Sequence, residues 1–533
     1  MEQELNWPLG SIVYQIYPRS FQDTNGDGIG DLPGVIKRLP YLAQLGANAL
    51  WLNPIYPSPQ VDFGYDVSDY QDIHPMFGTM QDFDELTQKA HEKGMRIMMD
   101  FVPNHTSTQH AWFMESKSAR DNPKRDWYIW KDPKSDGSPP NNWLSVFGGS
   151  AWQFDEKTGQ YYLHTFDAEQ ADLNWRNPAV VKEMLNVLRF WMDKGVDGFR
   201  VDVPYHMFKD SLFRDEPPNP NYQEGTHNTF DRLLHIHTAW LPESLDMMKQ
   251  FAKVLQEYKN KFMVTESWGT LQDVIKTYIT VGWKWFQPFN FSLITLPWTA
   301  EAHKQYIDEY DKALGDLYLP CFVLGNHDVH RVATRIGEKQ ARIAAMALLT
   351  LRGLPFIYYG DEIGMTDTVI PKDNIQDPFE KKTPGLGMGR DPQRTPMQWN
   401  SNKNAGFTQS TPWLPINRNS PSLNVEQENQ HPTSMLGLYT LLIKLRKHHT
   451  SLREGAYIPL PHPAPNVLAY LREKDDEKIL VVLNFANEQK ILTMDSSPCK
   501  ILATTSMDFS EGQKIKLMNY ALPANEGLIL EIC

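Results

Sequence analysis

The chain has 533 residues, of which 41% are hydrophobic and 22% charged, and these are ordinary values for folded globular proteins. They exclude a disordered, collagen-like or small disulfide-stapled chain, and the length allows two to four domains. The net charge of −13, with no basic stripe, argues against a nucleic-acid-binding protein and favours solubility.

Short apolar runs alternate with amphipathic helical stretches along most of the chain. Alternation of this kind predicts parallel βα units, and eight such units close a TIM barrel. The predicted strands are residues 12–17, 49–54, 96–102, 198–203, 262–267, 318–324 and 355–359, with a weaker eighth near 283–291. The clearest helix starts after Asn177, which can cap it. Pro178 suits its first position, and Gly195 ends it.

Three parts of the chain depart from this rhythm. Residues 104–174 are rich in Trp, Ser, Asp, Gly and Pro and are too long for a βα loop, which predicts an inserted domain after strand 3. Residues 367–413 are predicted to form a long surface loop. Residues 455–533 show alternating strands, including a hairpin, and predict a C-terminal antiparallel β-sandwich. The predicted barrel therefore comprises residues 1–103 and 175–454.

Carboxylates follow three of the predicted strands. The sequence GFRVD places Arg200 and Asp202 on one face of a strand, because residues i and i+2 share a face. Glu266 and Asp328 end two later strands, and barrel enzymes place their sites at the carboxyl ends of strands. This set suits glycoside hydrolysis, in which one carboxylate attacks the anomeric carbon and a protonated one donates to the leaving oxygen. Charge crowding is expected to keep Glu266 protonated.

Two histidines also follow apolar strands, namely His105 in DFVPNHT and His327 in GNHD. A lone histidine is more often a packed or capping residue, whereas two at strand ends beside carboxylates favour a role in binding sugar hydroxyls. The chain also contains 16 Trp, 22 Tyr and 25 Phe, which are mostly expected in the core.

The sequence DTNGDGIGD, after the first predicted strand, has oxygen side chains at alternate positions with glycines between them. This pattern predicts a loop that binds one structural Ca²⁺ or Mg²⁺. The expected ligands are the side chains of Asp23, Asn25, Asp27 and Asp31 and the main-chain oxygen of Ile29. Position twelve of the loop is not a glutamate, and no helix is evident before it, so an EF-hand is not expected. A solvated acidic turn is the alternative.

The remaining features concern location and partners. The three cysteines, Cys321, Cys499 and Cys533, lie far apart and have no metal-binding spacing. The N-terminus has no apolar stretch of the kind found in signal peptides, and the longest apolar run, residues 343–351, is far shorter than the about 20 residues of a membrane span. We therefore expect a cytoplasmic monomer or homodimer that uses no organic cofactor and contacts no membrane.

These motifs together resemble the α-amylase superfamily of retaining barrel glycosidases over essentially the whole chain. DFVPNH, GFRVD, TES and GNHD, which begin at residues 100, 198, 265 and 325, occur in the family's order. DFGYDVSDY, QADLNWRNP and RTPMQW, which begin at residues 62, 170 and 394, resemble the α-glucosidase branch of maltases and oligo-1,6-glucosidases.

The resemblance implies catalytic roles. Asp202 would be the nucleophile that forms a β-glucosyl-enzyme, and Glu266 would be the general acid and then the base. Asp328 would hold the 2- and 3-hydroxyls, Arg200 would orient Asp202, and the same glucose would contact the two histidines, His105 and His327.

The resemblance also implies a closed pocket. Asp62 and Tyr65 would close its non-reducing end, Arg394 would pair with Asp62, and Phe147 and Phe166 would form its walls. A closed pocket implies exo attack, which releases one glucose from the non-reducing end of a short gluco-oligosaccharide.

The motifs indicate less clearly which glycosidic linkage is cleaved. Val203, next to the nucleophile, resembles enzymes that accept α-1,6 bonds, whereas DFGYDVSDY and FRDEPPNPNY resemble maltases, so α-1,4 linkages are slightly preferred. An oligo-1,6-glucosidase and a transglucosylase or sugar isomerase (trehalose synthase or sucrose isomerase type) remain alternatives. An endo-amylase would need an open cleft. A non-enzymatic transporter ectodomain would lack the full carboxylate set and carry a membrane span.

Overall fold

A computed structural model of the chain describes residues 7–494 and 498–532. Its centre is an eight-stranded parallel sheet, whose strands are β1 Val13–Ile16, β2 Ala49–Leu52, β3 Arg96–Phe101, β4 Gly198–Val201, β5 Phe262–Thr265, β6 Phe286–Pro288, β7 Cys321–Phe322 and β8 Leu354–Tyr358. The strand order is β6-β5-β4-β3-β2-β1-β8-β7. A parallel bridge between Asn290 and Phe322 links β6 to β7, so the predicted TIM barrel is confirmed.

One main helix lies between each strand and the next, or after β8. These helices are α1 Leu32–Leu45, α2 Met80–Glu92, α3 Pro178–Asp193, α4 Pro242–Gln256, α5 Leu271–Val281, α6 Ala300–Leu314, α7 Glu338–Thr350 and α8 Met435–His448. Helix α3 begins as predicted, with the Asn177 side chain accepting a hydrogen bond from the amide of Ala179. Its buried face includes Val180, Met184 and Val187.

The barrel interior changes from apolar to polar along the strands. Val13, Met98 and Phe262, near the strand starts, belong to one buried apolar cluster. Two residues further along β3, beyond Met98, lies Asp100, which is paired in register with Arg200 of β4. Strand alternation therefore carries these charged side chains to the carboxyl end of the barrel, where the three carboxylates predicted from the sequence also lie.

The segment between β3 and α3 forms its own small sheets. His105–Ser107 pairs antiparallel with Gln170–Asp172, so the two ends of the insertion are joined beside the barrel mouth. A three-stranded antiparallel sheet contains the other strands, in the order Trp130–Lys131, Gln160–Leu163, Trp152–Asp155. A helix, Ala111–Ser118, precedes that sheet.

The C-terminal part is an antiparallel β structure. Six strands are hydrogen-bonded in the spatial order Ala456–Pro459, Val467–Lys474, Glu477–Asn484, Gly527–Ile532, Cys499–Thr504, Lys514–Ile515, and a separate pair comprises Lys490–Ile491 and Ala521–Leu522. The predicted hairpin is present, with Asp475 in its turn at φ 52°. The predicted domain extended to residue 533, which lies outside the described residues.

The stretch predicted as a long surface loop is largely buried where it crosses the barrel mouth. Arg394, Thr395, Met397 and Gln398 are fully buried, and Trp399 donates to the carbonyl oxygen of Phe21. The surface interpretation is therefore wrong for this part of 367–413, because its polar composition serves hydrogen bonds and ion pairs inside the protein rather than contact with water.

Short elements complete the fold. The remaining α-helices are Pro18–Phe21, Ser292–Thr295, Val332–Ile336, Pro378–Lys382, Val425–Gln430 and Thr450–Glu454. The 3-10 turns are Arg125–Trp127, Pro204–His206, Thr229–Arg232, Asp361–Ile363, Lys372–Asn374, Asp391–Gln393 and Lys403–Gly406. Among the described residues, none of the helices has both the length and the apolar character that crossing a membrane requires.

Candidate active site

The three predicted carboxylates line one cavity of about 1080 Å³ at the carboxyl end of the barrel. Asp202 directly follows β4 and Glu266 directly follows β5, while Asp328 comes six residues after β7. Asp202 and Glu266 are buried at 7% and 4% exposure. The structure thus brings together side chains that are 126 positions apart in the sequence, as expected for the shared edge of a parallel barrel.

Arg200 connects two of these carboxylates. Its Nη1 donates to Oδ1 of Asp202 at 2.6 Å and to Oδ1 of Asp100 at 2.7 Å, and its Nη2 donates to Oε2 of Glu266 at 2.8 Å. Asp100 is the first residue of the DFVPNH motif, and no role was predicted for it. Its position at the end of β3, on the inward face, was a usable signal, because β3 is the neighbour of β4.

Glu266 is fixed by two further donors. The amide of Val203 donates to Oε2 at 3.1 Å, and Nε1 of Trp268 donates to Oε1 at 2.6 Å. Val203 has φ 33° and ψ 46°, a left-handed conformation that is strained for a β-branched residue. This backbone turn aims the amide at Glu266 and leaves the Val203 side chain on the cavity wall. Trp268 was not predicted, although it lies two residues after Glu266.

Burial sets the electrostatics of this group. Burial raises the pKa of Asp202 well above its usual range, against the lowering effect of Arg200, and the negative charges of Glu266 and Asp100 raise it further. Burial likewise raises the pKa of Asp100 to about 6, again opposed by Arg200. One guanidinium therefore faces three carboxyls, which compete for its single positive charge.

At Asp328, the neighbouring groups outweigh burial, and the pKa is lowered instead of raised. Burial opposes its ionisation, but His327, Arg394 and Arg390 together lower its pKa below the ordinary value. Nη2 of Arg394 donates to Oδ1 of Asp328 at 2.8 Å, and Nη1 of Arg390 lies 3.7 Å from the same oxygen. Asp328 is therefore a permanent anion on the cavity wall.

His327 is held in one ring orientation by its neighbours. The amide nitrogen of Gln15 donates to Nδ1 at 2.9 Å, which places the ring proton on Nε2. Nε2 lies 2.6 Å from the hydroxyl of Tyr65 and 3.3 Å from Oδ2 of Asp328. The Tyr65 ring also stacks on the imidazole at 5.6 Å between centroids. Burial lowers the pKa of His327 well below its usual value, so the ring is neutral.

Asp62 closes the far end of the cavity, and its partner differs from the predicted one. Nη2 of Arg390 donates to Oδ1 of Asp62 at 2.7 Å, and Gln170 donates to Oδ2 at 3.2 Å. Arg394 instead donates to Asp328. The predicted Asp62–Arg394 pair is therefore wrong, because Arg390 lies four residues earlier and is also anchored by Asp377 at 2.6 Å. Arg390 follows a glycine-rich stretch without a recognisable motif, so no local pattern marks it as a site residue.

The predicted aromatic walls also lie on the cavity. The rings of Phe147 and Phe166 are 5.9 Å apart, and Phe166 packs against His105 at 5.3 Å. Arg390 lies 5.3 Å above the Phe147 ring. Burial lowers the pKa of His105 to about 4, so this ring is also neutral. All four side chains line the same cavity as the carboxylates.

In the predicted cation loop, residues 23–31, the acidic side chains accept hydrogen bonds from nearby main-chain amides. Asp23 accepts from the amides of Gly26 and Gly28, and Asp31 accepts from the amide of Gly34, which caps α1. Asn25 accepts from the amide of Asp27, and the Asp27 carboxylate accepts from the amide of Ile29. A one-turn helix, Pro18–Phe21, precedes the loop, contrary to expectation.

As placed, these side chains do not form a metal site. Among the described residues, no group of three His, Cys, Asp or Glu side chains is placed to hold a metal ion. The carboxylates face the loop's own amides rather than one common point.

Known proteins resemble the chain over most of its length. The family model for the alpha amylase catalytic domain matches residues 15–455, and the model for the maltogenic amylase C-terminal domain matches residues 459–514. An alpha-glucosidase of Apis mellifera is 41% identical over 91% of this chain and 86% of its own. An oligo-1,6-glucosidase of Heyndrickxia coagulans is 39% identical over 90% of this chain and 92% of its own.

Solved structures also resemble the chain over nearly its whole length. An alpha-glucosyl transfer enzyme, XgtA, superposes with a TM-score of 0.91 at 35% identity and covers 99% of both chains. A trehalulose synthase variant superposes with a TM-score of 0.89 at 35% identity, covering 99% of this chain and 100% of its own.

Proposed function

The chain belongs to the α-amylase family of glycoside hydrolases, in its α-glucosidase branch, and on that premise we propose that it is an exo-acting, retaining α-glucosidase. It releases glucose from the non-reducing end of short α-gluco-oligosaccharides, with α-1,4 linkages slightly preferred. The observation that carries this proposal is the pairing of Asp202 and Glu266 with adjacent nitrogens of the Arg200 guanidinium. Retaining glycosidases, which use double displacement, place their two carboxyl groups about 5–5.5 Å apart, and a single guanidinium that binds both keeps this pair close together.

In the first step, Asp202 attacks the anomeric carbon while Glu266 gives its proton to the leaving oxygen. The bond from carbon to the leaving oxygen breaks, and a β-glucosyl ester of Asp202 forms. In the second step, Glu266 takes a proton from water, and the water oxygen displaces Asp202 to release α-glucose. Arg200, hydrogen-bonded to both carboxyls, favours the ionised form of Asp202 that attacks, and the anionic Asp328 stabilises the positive charge that develops on the sugar.

The far end of the cavity supports exo attack. Asp62 is fixed by Arg390 and Gln170, and Tyr65 and His327 are stacked beside it, so the wall behind the first glucose is closed by buried, mutually hydrogen-bonded side chains. Neutral His105 and His327 have ring nitrogens suited to hydroxyl groups. A chain that continued beyond the terminal glucose would have to displace the Asp62–Arg390 pair.

The linkage and the fate of the glucosyl group have two further candidates. Val203 on the wall beside Glu266 favours an oligo-1,6-glucosidase, and the likeness to a trehalulose synthase supports a transglucosylase or isomerase. Product analysis from maltose, isomaltose, sucrose and trehalose at equal concentration separates them. Glucose released fastest from maltose supports the proposal. Faster release from isomaltose favours the oligo-1,6-glucosidase, and a new disaccharide favours the isomerase.

We further propose that residues 23–31 bind one structural Ca²⁺ or Mg²⁺. The set of three carboxylates, the amide oxygen of Asn25 and the carbonyl of Ile29 has the oxygen chemistry that both hard cations prefer. We also propose a cytoplasmic location, which the low cysteine content and the buried thiol of Cys321 support. A monomer or a homodimer fits a cavity that one chain completes by itself.

A further inference from the structure

A row of buried polar side chains crosses the barrel from β3 to the turn after β7. We call it the polar row and define it by Asp100 of β3, Asn53 directly after β2, Gln15 of β1 and His327. Each of the four is 1% exposed. His327 lines the cavity, whereas the other three lie behind its wall. The proposed mechanism gives Gln15 and Asn53 no task.

Asp100 fixes the direction of the hydrogen bonds at one end of the polar row. Its Oδ2 accepts from Nε1 of Trp51 at 3.1 Å, and its Oδ1 accepts from Nη1 of Arg200 at 2.7 Å. Indole and guanidinium groups have hydrogen-bond donors and no acceptors, so both oxygens of Asp100 are acceptors here. The Asn53 side chain, 3.2 Å from Oδ2, therefore turns its NH₂ group towards Asp100.

This orientation passes from Asn53 to Gln15 and then to the imidazole. With its NH₂ group on Asp100, Asn53 presents Oδ1 to Gln15, whose Nε2 donates to that oxygen at 2.9 Å. The same Nε2 has a second hydrogen, which it donates to Nδ1 of His327 at 2.9 Å. A reversed Gln15 amide would set two acceptors against each other at Asn53. Nδ1 of His327 is therefore unprotonated, and the proton of the neutral ring lies on Nε2.

Aromatic neighbours fix the plane of the imidazole but not the position of its proton. Tyr65 and Tyr17 stack on the His327 ring with centroids 5.6 Å and 6.0 Å away, and Trp51 meets it edge to face at 6.1 Å. Stacking does not distinguish the two tautomers of a neutral histidine. The hydrogen bonds of the ring nitrogens make that choice.

The position of the proton matters because Nε2 faces Asp328. Nε2 lies 3.3 Å from Oδ2 of Asp328 and 2.6 Å from the Tyr65 hydroxyl, which in turn donates to Asp100 at 3.2 Å. With its proton on Nε2, the ring presents a donor to both groups. With its proton on Nδ1, the Nε2 lone pair would face the Asp328 carboxylate, and the N–H of Nδ1 would face the Gln15 NH₂ group.

We propose that Gln15 is a positioning residue, which keeps the ring proton of His327 on Nε2 and so holds a hydrogen-bond donor against Asp328. The inference rests on the proposed α-glucosidase function and deepens it, because Asp328 is the anion that stabilises the charge developing on the sugar. Gln15 acts on the reaction only through His327.

Nitrogen NMR of the histidine-labelled protein reads the tautomer directly, because protonated and unprotonated ring nitrogens have well-separated shifts. The His327 resonances are those that disappear in His327→Asn. We expect an unprotonated Nδ1 and a protonated Nε2 in the wild type. In Gln15→Met the Nδ1 resonance should move, because that nitrogen loses its donor. A wild-type ring with its proton on Nδ1, or an Nδ1 resonance that Gln15→Met leaves in place, would overturn the proposal.

A double-mutant cycle measures the consequence for catalysis. Gln15→Met should lower kcat/KM for maltose at least about five-fold, which corresponds to the loss of one buried hydrogen-bond partner. In the His327→Asn background, the same change should lower kcat/KM less than about two-fold, because the ring that Gln15 orients is absent. Equal losses in both backgrounds would overturn the proposal, since they would mean that Gln15 acts by packing and not through His327.

Gln287→Met is the matched control. Gln287 is fully buried on β6, and neither atom of its side-chain amide has a hydrogen-bond partner. The same substitution there removes a buried amide from the barrel without touching the polar row, so kcat/KM should stay within about two-fold of the wild type and the His327 resonances should not move. A loss of kcat/KM as large as that of Gln15→Met would overturn a specific role for Gln15.

The two measurements separate this inference from the proposed function. If the wild type neither hydrolyses nor transfers glucose from any of the four disaccharides, the α-glucosidase function is refuted, and NMR still tests the orientation of His327. Normal hydrolysis by a protein whose ring proton lies on Nδ1 overturns only the role of Gln15. Circular dichroism checks that Gln15→Met folds. The wild-type spectrum needs no variant of Gln15 and can contradict the proposal by itself.

Discussion

Replacing Arg390 by Gln removes the cation that faces Asp62 at the closed end of the cavity. The Arg390 guanidinium donates to Asp62 at 2.7 Å and to Asp377 at 2.6 Å, all within buried surroundings. A hydrogen bond to a charged group contributes about 1.5–3 kcal/mol. We therefore expect a coupling free energy of about 2 kcal/mol between Arg390 and Asp62 in transition-state stabilisation, a factor of about 30 in kcat/KM.

The same variant should change the pH dependence. Burial raises the pKa of Asp62, and Arg390 is the largest influence that lowers it. Without Arg390 the pKa of Asp62 rises further, so its carboxylate is protonated at higher pH and the acid limb of kcat/KM moves to higher pH. The Asp62→Asn variant lacks the titrating carboxyl. In that variant, Arg390→Gln should therefore no longer shift the acid limb of the kcat/KM profile by way of the Asp62 pKa.

The assay is a double-mutant cycle of kcat/KM for maltose with Arg390→Gln, Asp62→Asn and both changes, read across pH. Arg394→Gln serves as the matched control, because Arg394 contacts Asp328 and not Asp62. Arg390→Lys retains the charge, and circular dichroism checks folding, since breaking a buried pair costs about 3–5 kcal/mol of stability. Coupling of Asp62 with Arg394 that exceeds its coupling with Arg390 would refute the assignment.

Three further predictions concern the site and its frame. Tyr65→Phe should lower kcat/KM about ten- to hundred-fold, because His327 loses the hydroxyl that lies 2.6 Å from its Nε2. Loss of a buried hydrogen-bond partner costs about 1–3 kcal/mol. An unchanged kcat/KM would argue against a role for the Tyr65–His327 hydrogen bond. Burial lowers the pKa of His110 to about 4, below its unfolded value, so its stabilisation is present near pH 7 and is lost as pH falls towards 4. His110→Asn retains a side chain that can cap the helix Ala111–Ser118. Between pH 7 and pH 5, the free energy of unfolding measured by chemical denaturation should fall by about 2 kcal/mol more in the wild type than in this variant. Chelation should lower the Tm through residues 23–31 and leave activity well below the Tm unchanged; lost activity at constant Tm would contradict a structural ion.

The barrel was predictable because its strands are buried on both faces. Such strands appear as continuous apolar runs, so β1 to β5 and β8 fall within or one residue beyond the predicted ranges. The predicted strand bounds were least accurate at β7 and β6. At β7, seven residues were expected to form the strand and two are paired. Neighbouring aromatic residues around β6 also pack as core, and apolarity alone does not separate a strand from the loop that follows it.

Reasoning from strand positions alone predicted site residues only at strand ends, whereas Asp62, Phe147 and Phe166 were expected from the family resemblance. Asp202 and Glu266 follow directly from strand positions, and Asp328 from the turn after β7. Arg390 and Gln170 come from long connections whose paths depend on tertiary packing, so spacing could not place them beside Asp62. The wrong partner for Asp62 has the same origin, since Arg390 and Arg394 are four residues apart and each binds a carboxylate that lines the cavity.

The most direct test of the central claim is the anomer that forms first. Proton NMR of maltose hydrolysis, recorded before mutarotation, resolves α- from β-glucose. Two displacements through Asp202 and Glu266 predict that the newly released non-reducing glucose appears as the α anomer. Release of β-glucose first would mean a single displacement by water and would contradict the assignment of Asp202 as nucleophile.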